Sequence, residues 1–173
     1  MKEMITVTKR YRTETGHRLC NYDGKCAHLH GHSYLFEITA TAPKLDKRGM
    51  IVDFKDLKQA TVGVLEPWDH ALILQREDPL VQRFGEDGIA EILKATNNHF
   101  PRYFLWDENP TAENMARIAG LAIQAKLRFF WDVDRIVGEA SEPEIPCPIV
   151  VDHVRVWETA DSHADWYRVD VQG

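Results

Sequence analysis

Four of the eight histidines, His17, His28, His30 and His32, fall within sixteen residues of one another. Imidazole is a leading ligand for transition metals. His30-Gly31-His32 enters a stretch with strand alternation, and residues i and i+2 of a strand point to the same face. Both rings can therefore converge on one ion. Gly31 between them removes a side chain and lets the backbone pass close to a ligand. His17 follows an earlier strand pattern and joins them if the two strands pair as a hairpin. Three neutral nitrogens leave Zn²⁺ its full charge and an open fourth position, the pattern of a catalytic site. His28 shares the parity of His30 and His32, but three protein ligands suffice and it is left beside the site or on the surface. His99, His153 and His163 read as ordinary hydrogen-bonding residues.

Cys26 lies four residues before His30. A thiol beside a divalent cation loses its proton readily, so Cys26 could be a ligand, a nucleophile or a general base. Two other metal readings use the same residues. Cys20, Cys26, His30 and His32 could form a closed structural Cys₂His₂ site, and Cys20→Ala would then release the metal. Gly24, His30, His32 and Glu37 match most of a cupin metal motif. Lys44 stands where that motif has its last glycine, and no later segment supplies its remaining histidine.

These residues need a scaffold. Ile5, Val7 and Tyr11 share one parity, which predicts a strand over Met4–Arg12 with one wet face. Tyr34, Phe36, Ile38 and Ala40 predict the buried face of a strand over Tyr34–Thr41. Met50–Val52 could add a short strand or bridge. Asp53 predicts an N-cap, and Phe54, Leu57, Thr61, Val64 and Leu65 predict an amphipathic helix over residues 54–65, stopped by Pro67. A less regular helix fits residues 79–99, weakened by Gly85 and Gly88. Asn109-Pro110 predicts a capped helix start, with Met115, Ile118, Ala122 and Ala125 as its buried stripe. Residues 138–148 carry three prolines and read as a surface loop. Val150–Trp157 and Trp166–Val171 predict a terminal hairpin. This order of elements predicts an α+β fold, an antiparallel sheet covered on one face by helices.

Composition bounds the function. The 173 residues suit one domain, and 44 % hydrophobic with 28 % charged residues is globular. The chain is too short for an eightfold β/α barrel, which takes about 200 residues or more. A net charge of -6 argues against nucleic-acid or anionic-membrane partners. The charge is uneven: residues 1–60 hold 11 basic and 7 acidic groups, and residues 61–173 hold 10 and 20. A small anionic ligand near the first third is compatible with that split. Three cysteines make no disulfide framework, and no secretory h-region or membrane span is visible. A cytoplasmic location is expected.

Gly16-His17-Arg18-Leu19, with Gly24-Lys25-Cys26 and His30-Gly31-His32-Ser33-Tyr34, resembles the 6-pyruvoyltetrahydropterin synthase and 6-carboxytetrahydropterin synthase family. Met50–Phe54, Asp69-His70, Asn109–Asn114 and Val156–Thr159 resemble its later segments, in order. The resemblance implies the tunnelling fold (T-fold): a four-stranded antiparallel sheet with two main helices on one face. It implies sheets joined into a barrel, a homohexamer of two trimers, and active sites between subunits. It further implies zinc on His17, His30 and His32, Cys26, Asp69 and His70 as catalytic residues, and Glu158 as the pterin anchor. The implied substrate is dihydroneopterin triphosphate. The three-residue gap between Cys26 and His30 resembles the bacterial 6-carboxytetrahydropterin synthases of queuosine biosynthesis. Those are lyases releasing acetaldehyde and triphosphate. A 6-pyruvoyl product is the alternative, and a non-catalytic pterin-binding relative a further one. Trp68 and Thr13 depart from the family pattern. Residues 75–108 and 132–149 read as extensions of a single domain over residues 1–173.

Overall fold

The computed structural model describes residues 4–96, 101–137 and 149–169. The expected loop at 138–148, with Cys147, lies outside them, as do His99 and most of the 132–149 extension. Two long strands form the centre: β1 (Ile5–His17) and β2 (His30–Ala42) pair antiparallel along their whole length, from Ile5 opposite Ala42 to His17 opposite His30. β1 thus runs further than its alternation predicts and carries His17 itself. Between them lies a loop with one 3₁₀ turn, Lys25–Ala27.

α1 (Phe54–Leu65) begins as predicted, with the Asp53 carboxylate accepting from the Lys55 N–H at 2.8 Å. Met50–Val52 forms a bend, not a strand. Phe54, expected on the buried stripe, is 55 % exposed. A 3₁₀ turn over Glu66–Trp68 follows α1, then β3 (Leu72–Gln75), α2 (Pro79–Thr96), β4 (Tyr103–Trp106), α3 (Ala112–Val137), β5 (Val150–Trp157) and β6 (His163–Tyr167). The strand order is β4-β3-β1-β2-β5-β6. The sheet therefore has six strands among the described residues, not four, and three helices accompany it, not two. β1, β2, β5 and β6 make the expected antiparallel set. β3 and β4 add to it in parallel, beginning where Leu72 and Ile73 pair with Gly16 and His17. α2 is two helical pieces joined at Gly85, whose φ of 69° favours glycine.

The core lies between one sheet face and α1 and α3. Tyr34, Phe36, Ile38 and Ala40 meet Val151, Val154 and Val156, then Leu57 and Leu65 of α1 and Met115, Ala119 and Ile123 of α3. The buried stripe of α3 runs through Ala116 and Ala119 rather than through the predicted Ala122 and Ala125, of which Ala125 is exposed. The helix lies close to the sheet there: a Cβ on Gly120 would overlap the Trp166 ring. Leu74, Val81 and Ile89 form a second, smaller cluster under α2. The two family departures are absorbed locally. Trp68 sits edge-on to Phe36 and Trp106, and the Thr15 hydroxyl lies 2.9 Å from that of Thr13 and 3.0 Å from the Trp68 carbonyl.

Candidate metal site

His17 ends β1 and His30 and His32 begin β2, so the hairpin register alone brings three imidazoles to the helix-covered side of the sheet. Glu158, just past β5, completes the group. One donor atom from each of His17, His30, His32 and Glu158 lies within 4.8 Å of all the others. The His17 and His30 Nε2 atoms are 3.1 Å apart, and the Glu158 Oε1 lies 3.0 Å from the His32 Nε2 and 3.7 Å from the His17 Nε2.

Backbone carbonyls set the tautomers. The His17 Nδ1–H donates to the Pro110 carbonyl at 2.8 Å, and the His30 Nδ1–H to the His28 carbonyl at 2.7 Å. Each ring therefore turns an Nε2 lone pair inward. Burial, partly offset by the Pro110 hydrogen bond, pushes the His17 pKa down to about 4. Burial also lowers His32, against the pull of Glu158. Both rings are thus poised as neutral donors. The His17 and His30 Nε2 lone pairs, turned inward by the bonds at Nδ1 and facing at 3.1 Å, repel unless a cation lies between them. Zinc–nitrogen bonds of about 2.0–2.1 Å place tetrahedral donors about 3.3 Å apart. The His32 Nε2 is buried and, among the described residues, makes no aligned hydrogen bond, even with the Glu158 carboxylate 3.0 Å away. The donor set fits one divalent ion.

The other expected residues do not join this group. Cys26 is half-buried in its 3₁₀ turn, and its carbonyl accepts from the Leu19 N–H at 2.8 Å. Cys20 is buried, and its thiol donates to Gln75 Oε1 at 2.6 Å, so the Cys₂His₂ arrangement is not formed. Glu37 pairs with Arg10 at 2.6 Å across the sheet's other face, which ends the cupin reading. Asp69 and His70 attach to β1 instead. Asp69 accepts from the Glu14 N–H at 2.7 Å, and the His70 N–H donates to the Glu14 carbonyl at 2.6 Å. The His70 Nδ1–H donates to the Asp69 Oδ2 at 2.8 Å. Burial works against the Asp69 carboxylate, but the Glu14 and His70 hydrogen bonds hold its pKa below the ordinary value. His70 has a positive φ of 55° and a side chain 71 % exposed.

Some functional contacts escape a sequence reading. Asn109 does not cap α3; Thr111 accepts from the Asn114 N–H instead, at 3.3 Å. Asn109 clamps Cys20, accepting from its N–H at 2.8 Å and donating to its carbonyl at 3.0 Å. Tyr34 is fully buried, and its hydroxyl lies 3.2 Å from the His17 Nε2. Burial, then Glu158 and Cys26, push the Tyr34 pKa far above the usual phenol value. Its signal was the parity it shares with His30 and His32. A hollow of about 480 Å³ opens on the other sheet face and reaches Glu158, bordered by Arg12, Leu35 and Trp157.

Fold and site define an α+β protein whose donor group suits a single divalent metal. Residues 6–168 match the family model described as 6-pyruvoyl tetrahydropterin synthase, and the chain belongs to that family. A 6-carboxy-5,6,7,8-tetrahydropterin synthase of Rickettsia bellii is 38 % identical over 114 residues, covering 65 % of this chain and 75 % of that one. The Aquifex aeolicus protein of the same name is 30 % identical over 175 residues, covering 92 % and 96 %. Among solved structures, an uncharacterized protein from Wolinella succinogenes superposes with a TM-score of 0.72 at 19 % identity, covering 96 % of this chain and 99 % of that one. A 6-pyruvoyl tetrahydropterin synthase from Plasmodium vivax does so with a TM-score of 0.62 at 14 % identity, covering 96 % and 98 %. At these identities the structures speak for the fold alone. No helix among the described residues is long and apolar enough to cross a membrane.

Proposed function

We propose that this protein is a zinc-dependent lyase. It converts 7,8-dihydroneopterin triphosphate and one water to 6-carboxy-5,6,7,8-tetrahydropterin, acetaldehyde and triphosphate, in queuosine biosynthesis in the cytoplasm. The observation that carries it is the convergence of His17, His30 and His32, the first two with inward lone pairs, in a chain whose relatives bear the 6-carboxytetrahydropterin synthase name. His17, His30 and His32 would hold the ion. When bound, zinc supplies Lewis-acid polarisation of the substrate's hydroxylated side chain. Cys26, near the group but outside it, takes a carbon-bound proton as general base. His70, oriented by Asp69, relays protons. Glu158 accepts two hydrogen bonds from the amino-pyrimidine edge. Three imidazoles plus that carboxylate would close a tetrahedral site, so this role needs Glu158 turned toward the substrate.

The Asp69-His70 pair is fixed to β1 and turned to solvent. That supports a site shared between subunits of a homohexamer, with His70 serving a neighbour. The deciding experiment incubates zinc-loaded protein with 7,8-dihydroneopterin triphosphate and identifies the pterin product. A carboxy product is expected. A pyruvoyl product would replace this reading with the activity that the family's Plasmodium structures are named for. No turnover would leave a binding relative.

A further inference from the structure

We infer that residues 75–108 brace the metal site, with Asp78 and Gln75 as positioning residues for His17; this rests on reading His17 as a metal ligand. The two ends of the segment grip the four residues His17–Cys20. At the first end, Asp78 is fully buried. Its Oδ1 accepts from the Leu80 N–H at 2.8 Å and caps α2. Its Oδ2 lies 3.2 Å from the Arg18 Nε, in the residue that follows the ligand, a buried ion pair in which neither atom makes an aligned hydrogen bond. Asparagine or serine would cap a helix equally well without burying a charge. An unpaired buried carboxylate is strongly destabilising, so the charge at Asp78 makes sense through Arg18. Gln75 bridges both ends: its Oε1 accepts from the Cys20 thiol at 2.6 Å, and its Nε2 donates to the Asp107 carbonyl at 3.0 Å.

At the second end the chain passes directly from Asp107 into Asn109, which clamps Cys20, and Pro110, which receives the His17 Nδ1–H. β3 also pairs with β1 at His17 itself. The ligand, its neighbour Arg18 and Cys20 are thus each held by the segment or the residues just after it. From Leu19 the backbone bonds on to Cys26, so the same grip reaches the loop of the proposed base. The segment that reads as an extension in the sequence holds the neighbours of one of three ligands, and the residues flanking it hold the ligand itself.

The test is chelator-competition titration of zinc, with the absorption spectrum of the cobalt-substituted protein as a second readout. Wild type, Asp78→Asn, Gln75→Ala and the double variant Arg18→Met/Asp78→Asn are compared with their melting temperatures. Outer-shell losses typically cost 10–100-fold in metal affinity, and the single variants are expected to lose about tenfold, with an altered cobalt spectrum. The double variant removes both charges, so it should recover melting temperature relative to Asp78→Asn yet keep the weakened affinity. Zinc bound as tightly by folded Asp78→Asn and Gln75→Ala as by wild type would overturn the inference. Should Asp78→Asn not fold, Gln75→Ala and the double variant decide it. If wild type itself bound no metal, the underlying site reading would fall, and that result is distinct from equal affinities.

Discussion

At the scale of single residues, the division between ligand and base is the sharpest claim. Cys26 is not one of the four mutually close donors. Cys26→Ala should therefore keep its zinc, measured by metal analysis, while turnover falls about 10²–10⁴-fold, the usual loss for a general base. Loss of zinc would make the cysteine a ligand. Glu158 is the converse case, since its carboxylate lies among the imidazoles. If it anchors substrate, Glu158→Gln should keep the metal and raise KM by one to two orders of magnitude, as expected of a charge-assisted bond worth about 1.5–3 kcal/mol. If zinc leaves with the charge, Glu158 is a fourth ligand. The histidine trio was legible because spacing along two strands is local information. The position of Glu158 was not, because it depends on the register of β5 against β2, with Trp157 opposite Leu35. Asn109-Pro110 was misread for a similar reason: its side chain and carbonyl serve Cys20 and His17, far away in sequence.

At the scale of elements, alternation named the buried face of β2 correctly because that face is continuous against two helices. β3 and β4 left no comparable trace. Four residues each give too short a pattern, and their parallel pairing depends on β1 and on each other. The α3 stripe was shifted because small residues, weak in any hydrophobic pattern, mark the closest approach to the sheet. Gly120→Val tests that approach. The branched side chain would meet Trp166, and overpacking of this kind costs about 1–3 kcal/mol. A lower denaturation midpoint is expected, and an unchanged one would refute the close contact. The β5–β6 ladder carries its own test. The Arg155 guanidinium bonds both Asp165 oxygens, at 2.8 and 2.9 Å, and His153 adds a third bond at 2.7 Å. The Arg155 bonds, then His153, outweigh burial and hold Asp165 far below the usual carboxylate range. A depressed carboxylate stabilises the fold above its unfolded pKa of about 3.9, and that contribution fades as pH falls through the folded value. Asp165→Asn should lower the melting temperature at pH 7. The gap from wild type should narrow in acid, as followed by thermal melts between pH 7 and 2.

At the scale of the whole molecule, the sheet is unfinished. β1 pairs with β3 only at Gly16 and His17, and β6 closes the other end of the order with one partner. Exposed strand edges are templates for pairing with another chain. Along the β1 edge, Asp69 and His70 take up the backbone groups of Glu14 and present an oriented imidazole to solvent. The proton relay proposed there, outside its own chain's donor group, has a use if a neighbouring subunit brings its own donor group alongside. Mixing distinguishes the possibilities. Cys26→Ala and His70→Ala should each be nearly inactive. Dissociated together and reassembled, they should regain roughly a quarter of wild-type turnover, since random mixing in a symmetric oligomer pairs an intact Cys26 with an intact His70 at one interface in four. Mixed oligomers that form but stay inactive would show that both residues act within one chain, and the exposure of His70 would then need a closing motion of its own loop.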